Sequence, residues 1–295
     1  MFRWRELFRA RRSGQSRSGP LRGWAAALVL GLSSGCSLLG RPLGPVPPPV
    51  PQEQVVAALR ERADCFRTVK DGDVSLLIEV QTEKGFERQP TLGGVVAFDR
   101  QWPGLWMLAT KMGMEVFLLR ADSERFWLEL PRTHEVVTGG RHAYRQLPYL
   151  ISPYEVLAWF GSPAWLGLTS ESTRMSLLPE HYRLDVYAGQ MLLRTVLVDR
   201  RRLAVTAIAE YDALGRLSTE VLMDRYREAG GVLFPHRLAV SRPLDGCRVQ
   251  LRLGRPKFNV ELKPQLFRPA RWEGWRVIDL DREPLSSVRA FGGEP

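Results

Sequence analysis

The fold is decided by the stretch Leu-Trp-Met-Leu-Ala-Thr-Lys-Met-Gly-Met-Glu-Val-Phe-Leu-Leu-Arg, residues 105–120. It consists of two apolar runs of strand length, 105–111 and 114–120, separated by the dipeptide Met112-Gly113. A two-residue connection suits an antiparallel hairpin, because parallel strands need a crossover of a dozen or more residues. We therefore expect an antiparallel meander built around this hairpin.

The same pattern continues on both sides of this hairpin. Short turn-rich segments such as Trp102-Pro103-Gly104, Ala188-Gly189 and Gly230-Gly231 separate further strand-length runs. We count about eleven antiparallel strands between residues 73 and 262. A sheet of that size must curl or close. The sequence therefore predicts a mainly β fold of the α+β class with one curled sheet.

Two helices are expected to cover this sheet. Residues 52–68 place apolar side chains at three- and four-residue spacing, and Lys70-Asp71-Gly72-Asp73 closes that helix with turn residues. Residues 152–161 begin with Ser152 as a cap, followed by Pro153 and Glu155, and are apolar on most sides. We expect this short lid helix, Pro153 to Phe160, to lie on the concave face.

Several strands are apolar at successive positions, as in Leu105 to Ala109 and Phe126 to Leu128. A sheet with one solvated face should alternate between apolar and polar residues. Two interpretations remain open: an ordinary packed core, or a cavity that accepts an acyl chain when the lid moves. The residues expected to line this cavity or the loop beside it are Leu105, Trp106, Leu108, Phe117, Trp127, Leu157 and Phe160.

The segment Leu32-Ser33-Ser34-Gly35-Cys36 resembles the bacterial lipobox, in which a small residue precedes a cysteine that becomes lipidated. An apolar run of nine residues, 24–32, lies before it and is too short to span a bilayer. An Arg-rich region comes first, as in a signal peptide. We expect residues 1–35 to be a lipoprotein signal peptide and Cys36 to carry a lipid.

The amino-acid composition indicates the character of the two segments that flank the expected domain. Residues 36–52 hold the lipidated terminus and six prolines, which favour an extended stalk that lifts the domain off the membrane. Residues 269–295 read as a polar tail whose two Trp side chains dock on the body. Ser37 follows the cysteine that is expected to carry the lipid. Some bacteria use an aspartate at this position to retain a lipoprotein in the inner membrane. In such organisms the serine favours export to the outer membrane.

Charge and cysteine content narrow the function classes. Seven Arg and one Glu precede Cys36, so most of the net charge of +10 belongs to the signal peptide. No Lys/Arg run is interleaved with aromatics, which argues against nucleic-acid binding.

Cys65 and Cys247 form either a disulfide in an oxidising compartment or two buried thiols.

The sequence shows no catalytic or metal-binding pattern. The four histidines, His134, His142, His181 and His236, lack metal-ligand spacing. No serine lies in a nucleophile elbow, and neither Gly93-Gly94 nor Gly139-Gly140 opens a helix as a phosphate loop would. We therefore expect no enzyme activity, no metal and no cofactor.

The C-terminal half carries a family resemblance. Its motifs are Phe234-Pro235-His236-Arg237-Leu238, Asp245-Gly246, Phe258-Asn259-Val260 and Leu266-Phe267. This layout resembles the LolA/LolB-like lipoprotein-localisation superfamily over residues 53–268. The resemblance implies an incurved half-barrel covered by helices, with an apolar cavity that carries acyl chains of lipoproteins. In the membrane-anchored member an exposed apolar side chain lies on a protruding loop. By position that loop is 102–106 here, with Leu105 as the candidate.

The leading hypothesis is therefore a monomeric lipoprotein of the cell envelope, anchored in the outer membrane and facing the periplasm. It would bind a lipid, an acyl chain or a lipoprotein in its cavity without catalysis. The alternative is a structural or protein-interaction module of the envelope with a filled core. A third hypothesis, an envelope hydrolase, would need a polar cluster that only folding could assemble.

Overall fold

The structure is a computed structural model that describes residues 44–101, 104–147, 155–156, 166–269 and 271–283. Within these residues it has one long helix, α1 (Gln52–Asp64), and sixteen strands. The strands are Thr68–Thr82 (β1), Gly85–Arg88 (β2), Leu92–Asp99 (β3), Gly104–Lys111 (β4), Met114–Ala121 (β5), Arg125–Leu130 (β6), Glu135–Gly140 (β7), Thr173–Leu177 (β8), His181–Ala188 (β9), Met191–Asp199 (β10), Ala204–Tyr211 (β11), Leu217–Ala229 (β12), Val232–Arg242 (β13), Cys247–Leu253 (β14), Lys257–Phe258 (β15) and Arg276–Asp279 (β16).

All sixteen strands belong to one sheet. Its order is β16-β7-β6-β5-β4-β3-β1-β14-β13-β12-β11-β10-β9-β8, and the short strands β2 and β15 pair with β1. Every pairing is antiparallel except that of β16 with β7. The meander predicted from residues 105–120 is confirmed: β4 and β5 form the expected hairpin. The expected count of about eleven is too low, because β2, β7, β8 and β16 were not recognised as strands.

One face of the sheet, here called the inner face, is buried from edge to edge. Directly opposed side chains form two rows on it. The first runs from β16 to β3 through Ile278, Val137, Leu128, Leu119, Met107 and Val96, and the second from β1 to β9 through Ile78, Val249, Val240, Val221, Ile208, Val196 and Leu184. All belong to a single hydrophobic core. A sheet this wide encloses one core only by curling, so the incurved sheet predicted from the sequence fits this arrangement.

Helix α1 crosses one end of the curled sheet. At its start Gln52 Nε2 donates to the carbonyl of Thr173 in β8 over 3.4 Å, and at its end Asp64 pairs with Arg100 beyond β3. Its apolar side chains Val55 and Leu59 enter the core. The helix ends four residues earlier than predicted, and Lys70 to Asp73 are part of β1 rather than a turn. A bulge between Asp71 and Val74 explains why this stretch of β1 has turn chemistry.

The last prolines of the expected stalk lie on the body of the domain. The carbonyl of Pro47 accepts a hydrogen bond from Arg200, and the amide of Val50 donates to the hydroxyl of Tyr182. Val50 packs against the core. Residues 44–51 are therefore part of the domain, and the expected stalk is shorter than predicted.

The expected tail also contributes to the sheet. β16 adds a parallel strand to β7, and its residue Ile278 and the following Leu280 are buried. Gly139 leaves room for this segment, since a Cβ there would lie 2.7 Å from Ala143 and 3.4 Å from Leu280. The domain therefore extends at least to residue 281, beyond the boundary at 268 predicted from the sequence.

Candidate functional site

The inner face between β4 and β7 is the part that the sequence marked as a ligand site. Leu105 and Phe117 are fully buried there. Leu105 lies in β4 with 1% of its surface exposed, so its predicted role as an exposed loop residue is wrong. The loop residues Trp102 and Pro103 lie outside the described residues.

Trp106, Leu108 and Trp127 lie on the opposite, outer face. Side chains alternate along a strand, so these three point away from the inner face that holds Leu105 and Phe117. Each is partly exposed rather than buried. The predicted lining set is therefore divided between the two faces of the sheet. Its last two members, Leu157 and Phe160, lie outside the described residues.

The outer face at this point holds an aromatic pair with a cation between its members. Arg120 of β5 lies directly opposite both Trp106 and Trp127. Its guanidinium pairs with Glu129, and both side chains are largely buried. Burial lowers the pKa of Arg120 while the carboxylate of Glu115 opposes that effect. This buried pair is local to the outer face and does not reach the inner core.

The connection between β7 and β8 covers the other part of the inner face. Of this connection the structure describes 141–147, 155–156 and 166–172. Tyr144 packs edge-on against Phe126 with ring centroids 4.7 Å apart. Val156 and Leu166 also belong to the central core. The cover of the inner face is thus made of α1 and a chain connection, with no second sheet among the described residues.

One ion pair joins this connection to the sheet. Glu155 accepts a hydrogen bond from Arg242 at the end of β13, whose side chain is 9% exposed. Burial opposes the charge of Arg242, but the carboxylate of Glu155 and the neighbouring Tyr144 and Cys247 outweigh it and raise the pKa of Arg242. The sequence carries no local signal for this pair, because its members are 87 residues apart.

The sequence left open either a disulfide between Cys65 and Cys247 or two buried thiols, and the structure contradicts the disulfide. Cys247 is buried, whereas Cys65 is exposed. Both are free thiols. Cys65 lies near Asn259, beside the end of β1 where Val69 opposes Phe258, whereas Cys247 opposes Val80 at the other end. Eleven residues of strand separate these ends, roughly 35 Å, and a disulfide needs Cα atoms within about 7 Å. Burial raises the pKa of Cys247 to about 12, so this thiol stays protonated.

The four histidines are scattered: His181 and His236 lie in strands β9 and β13, and His134 and His142 lie in turns on either side of β7. His236 is buried on β13, where its Nδ1 bonds the carbonyl of Leu253 and its Nε2 has no hydrogen-bond partner in the described chain. Burial lowers the pKa of His236. Among the described residues, no three His, Cys, Asp or Glu side chains gather in a way that could hold a metal ion. No helix in the described ranges is long and apolar enough to cross a membrane.

An open polar pocket of about 230 Å³ lies near the start of β8, away from the apolar core. Its lining residues are Thr169, Glu171, Ser172, Arg174, Tyr187 and Gly189. Tyr187 alternates with the inward-facing Leu184 and Val186 on β9, so the pocket opens on the outer side. It is separate from the inner face.

Solved structures with the same architecture exist. A DUF1329 family protein from Desulfovibrio piger is 12% identical with a TM-score of 0.52, and the match covers 74% of this chain and 95% of that one. This chain therefore shares the fold of that protein. A second match is a putative outer membrane lipoprotein-sorting protein domain from Vibrio parahaemolyticus, which is 14% identical with a TM-score of 0.47; the match covers 74% of this chain and 97% of that one. A third is a LolA superfamily protein from Nitrosomonas europaea, which is 11% identical with a TM-score of 0.47; the match covers 72% of this chain and 97% of that one.

These likenesses concern the fold. The resemblance predicted from the motifs of residues 234–267 is confirmed at that level. No protein-family model matches the chain, and no curated protein matches its sequence. A shared fold does not by itself fix a function, which depends on the residues of this chain.

Proposed function

We propose that this protein is an envelope lipoprotein, anchored through Cys36, that binds a lipid or acylated ligand against its inner face without catalysis. The observation that carries the proposal is the continuous apolar inner face, which runs across fourteen paired strands under a cover of α1 and the β7–β8 connection. Together with the lipobox and Ser37, this favours a protein that faces the periplasm from the outer membrane. We expect it to act as a monomer.

The cover is built so that part of it can leave without breaking the sheet. The β7–β8 connection joins β7, which lies beside the edge strand β16, to the edge strand β8, and it lies over the core through Tyr144, Val156 and Leu166. An acyl chain has the same chemistry as these side chains and could replace them against Phe117 and Phe126. Transfer of a lipid between partners would use the same opening.

A second candidate is a protein-interaction module. The observation in its favour is that the described inner-face side chains are packed into one core with the cover in place. A core that stays closed would leave partner binding to the outer surface.

Binding of a fluorescent fatty-acyl probe tests the proposed function. We expect unlipidated Cys36→Ala protein to bind the probe saturably, close to one per chain. Met107→Gln places a polar group on the inner face and should weaken binding at least fivefold. Its neighbour Leu108→Gln, on the outer face, is the matched control and should leave binding unchanged. Fluorescence titration measures both, with thermal unfolding to check the fold.

Two results would contradict this prediction. Absence of probe binding by protein that is folded, and that carries no lipid by mass spectrometry, would favour the interaction module. Equal weakening by Met107→Gln and Leu108→Gln would place the probe elsewhere.

Anchoring is tested separately by cell fractionation. We expect the wild-type chain in the membrane fraction and Cys36→Ala in the soluble fraction. The lipid supplies the anchor, and no described helix could span the membrane. Cys65→Ser is the matched control and should remain in the membrane fraction. Unchanged fractionation of Cys36→Ala would remove Cys36 as the anchor.

A further inference from the structure

The start of the described chain is fixed to one end of the sheet. Arg201 Nε donates to the carbonyl of Gly44 over 2.9 Å, and Arg200 Nη2 donates to the carbonyl of Pro47 over 2.6 Å. Both arginines lie in the turn between β10 and β11. The amide of Val50 then binds Tyr182 of β9 over 2.8 Å. The chain from Gly44 to Val50 therefore leads to this end of the sheet.

The neighbouring turn at the same end presents apolar side chains to the solvent. Leu177 ends β8 with 52% of its surface exposed, and Leu178 follows with 36% exposed. Arg200 Nη1 donates to the carbonyl of Pro179, so this turn is joined to the same guanidinium that holds Pro47. Two leucines and an arginine-rich turn thus lie beside the point where the chain leaves the domain.

The length of the preceding segment limits how far this end lies from Cys36. Gly44 follows Cys36 by eight positions in the chain. A fully extended chain spans at most about 3.6 Å per residue, so the two residues are at most about 29 Å apart. An anchor at Cys36 therefore holds this end of the sheet, rather than the opposite one, nearest to the membrane.

We propose that this end, formed by Leu177, Leu178 and the Arg200–Arg202 turn, docks on the lipid bilayer that holds the anchor. The proposal rests on the proposed anchoring through Cys36. It reverses the expectation of a stalk, because the docked segment 44–50 holds the domain against the membrane. Leu177 and Leu178 enter the interface between headgroups and acyl chains, and the arginine-rich turn lies beside them at the level of the headgroups.

The chemistry of this end suits an interface between lipid and water. Exposed leucines gain free energy when they leave water for the acyl region. Arg201 also pairs with Glu180, which lowers the net charge of the turn and leaves the apolar pair as the main contact. The lipid on Cys36 provides a second contact with the membrane. Two contacts are needed because one weak contact alone gives only marginal binding.

The opposite end of the sheet supplies matched controls. Leu214 lies in the β11–β12 turn with 76% of its surface exposed, and Leu244 lies in the β13–β14 connection with 51% exposed. Both side chains are apolar and exposed, like Leu177 and Leu178, but they lie at the far ends of their strands from the β10–β11 turn. Under the proposal they stay in water.

The experiment measures how deep each turn lies in lipid. The lipidated full chain, with Cys65→Ser to remove the exposed thiol, receives Leu178→Cys or Leu214→Cys and an environment-sensitive fluorophore. Cys247 is buried and does not compete for the label. The protein is reconstituted in vesicles of phosphatidylethanolamine and phosphatidylglycerol that contain a nitroxide-labelled lipid. We expect at least threefold stronger quenching at position 178 than at position 214.

Equal quenching at the two positions in protein that floats with the vesicles overturns the docking proposal and leaves the anchoring intact. Wild-type protein that does not float overturns the anchoring, and the docking proposal with it. Hydroxyl-radical footprinting of the unlabelled chain provides a second measurement. Protection of residues 177–178 on vesicles, with residue 214 unprotected, supports docking, and the reverse pattern refutes it.

Discussion

Gly94→Ala is expected to lower the free energy of unfolding by about 3 kcal/mol or more. A Cβ on Gly94 would lie 2.0 Å from the carbonyl oxygen of Leu108 and 3.1 Å from its carbonyl carbon. Those atoms belong to the backbone of the paired strand β4, so no side-chain rotation relieves the overlap. Urea denaturation followed by circular dichroism measures the loss.

The neighbouring Gly93 is the matched control for this substitution. A Cβ on Gly93 would meet Thr110 Oγ1 at 3.8 Å and the carbonyl of Val74 at 3.9 Å, both ordinary contacts. Gly93→Ala should therefore change stability by less than about 1 kcal/mol, since Ala also loses less backbone entropy on folding than Gly. Equal loss in the two variants would mean that β3 and β4 are not as close as this structure has them.

The position of Gly94 connects this prediction to the shape of the sheet. Gly94 pairs with Val74, which is where the bulge in β1 ends. A bulge bends a strand and increases its twist, and a glycine allows the next strand to follow closely. The centre of the sheet thus has two local features that favour curling.

The sequence predicted the meander well because hairpins are local. Two- to four-residue turns such as Met112-Gly113 determine which strands pair, and the structure has those pairs. β7 was missed because Glu-Val-Val-Thr-Gly-Gly ends in glycines, and β16 because it adds to β7 from about 140 residues further along the chain. Pairing at that separation leaves no local signal.

The candidate site was harder to predict than the fold. Runs such as residues 105–109 are apolar at both odd and even positions, so the sequence does not show which residues face the core. The structure assigns Leu105 and Phe117 to the inner face and Trp106 to the outer face. The resemblance of residues 32–36 to a lipobox, by contrast, depends on a linear motif and needs no folded geometry to be recognised.

The contact between Arg242 and Glu155 is the second feature with a large expected effect. Glu155→Gln leaves Arg242 in its buried position without this carboxylate, and a buried charge that loses its partner is costly. Glu155 is partly exposed and Arg242 has further neighbours, so we expect a loss of about 2 kcal/mol in the free energy of unfolding. Urea denaturation of Cys36→Ala protein with and without Glu155→Gln measures it.

The matched control is the exposed pair of Arg201 and Glu180, in which Glu180 has 59% of its side chain in solvent. Glu180→Gln should cost less than about 0.5 kcal/mol, because exposed pairs contribute little. If Glu155→Gln lowers the free energy of unfolding no more than Glu180→Gln does, the contact with Arg242 does not hold the β7–β8 connection in place.

The same variant separates the two candidate functions. If ligands reach the inner face by displacing the β7–β8 connection, weakening its contact to Arg242 raises the population of open protein and strengthens acyl-probe binding in the same proportion. If the substitution destabilises only the closed state, by about 1.4 kcal/mol, the apparent affinity for the acyl probe would rise by up to tenfold. Glu155→Gln protein that is less stable but binds the probe no better than its parent would mean that the connection does not gate the inner face, and would favour the interaction module.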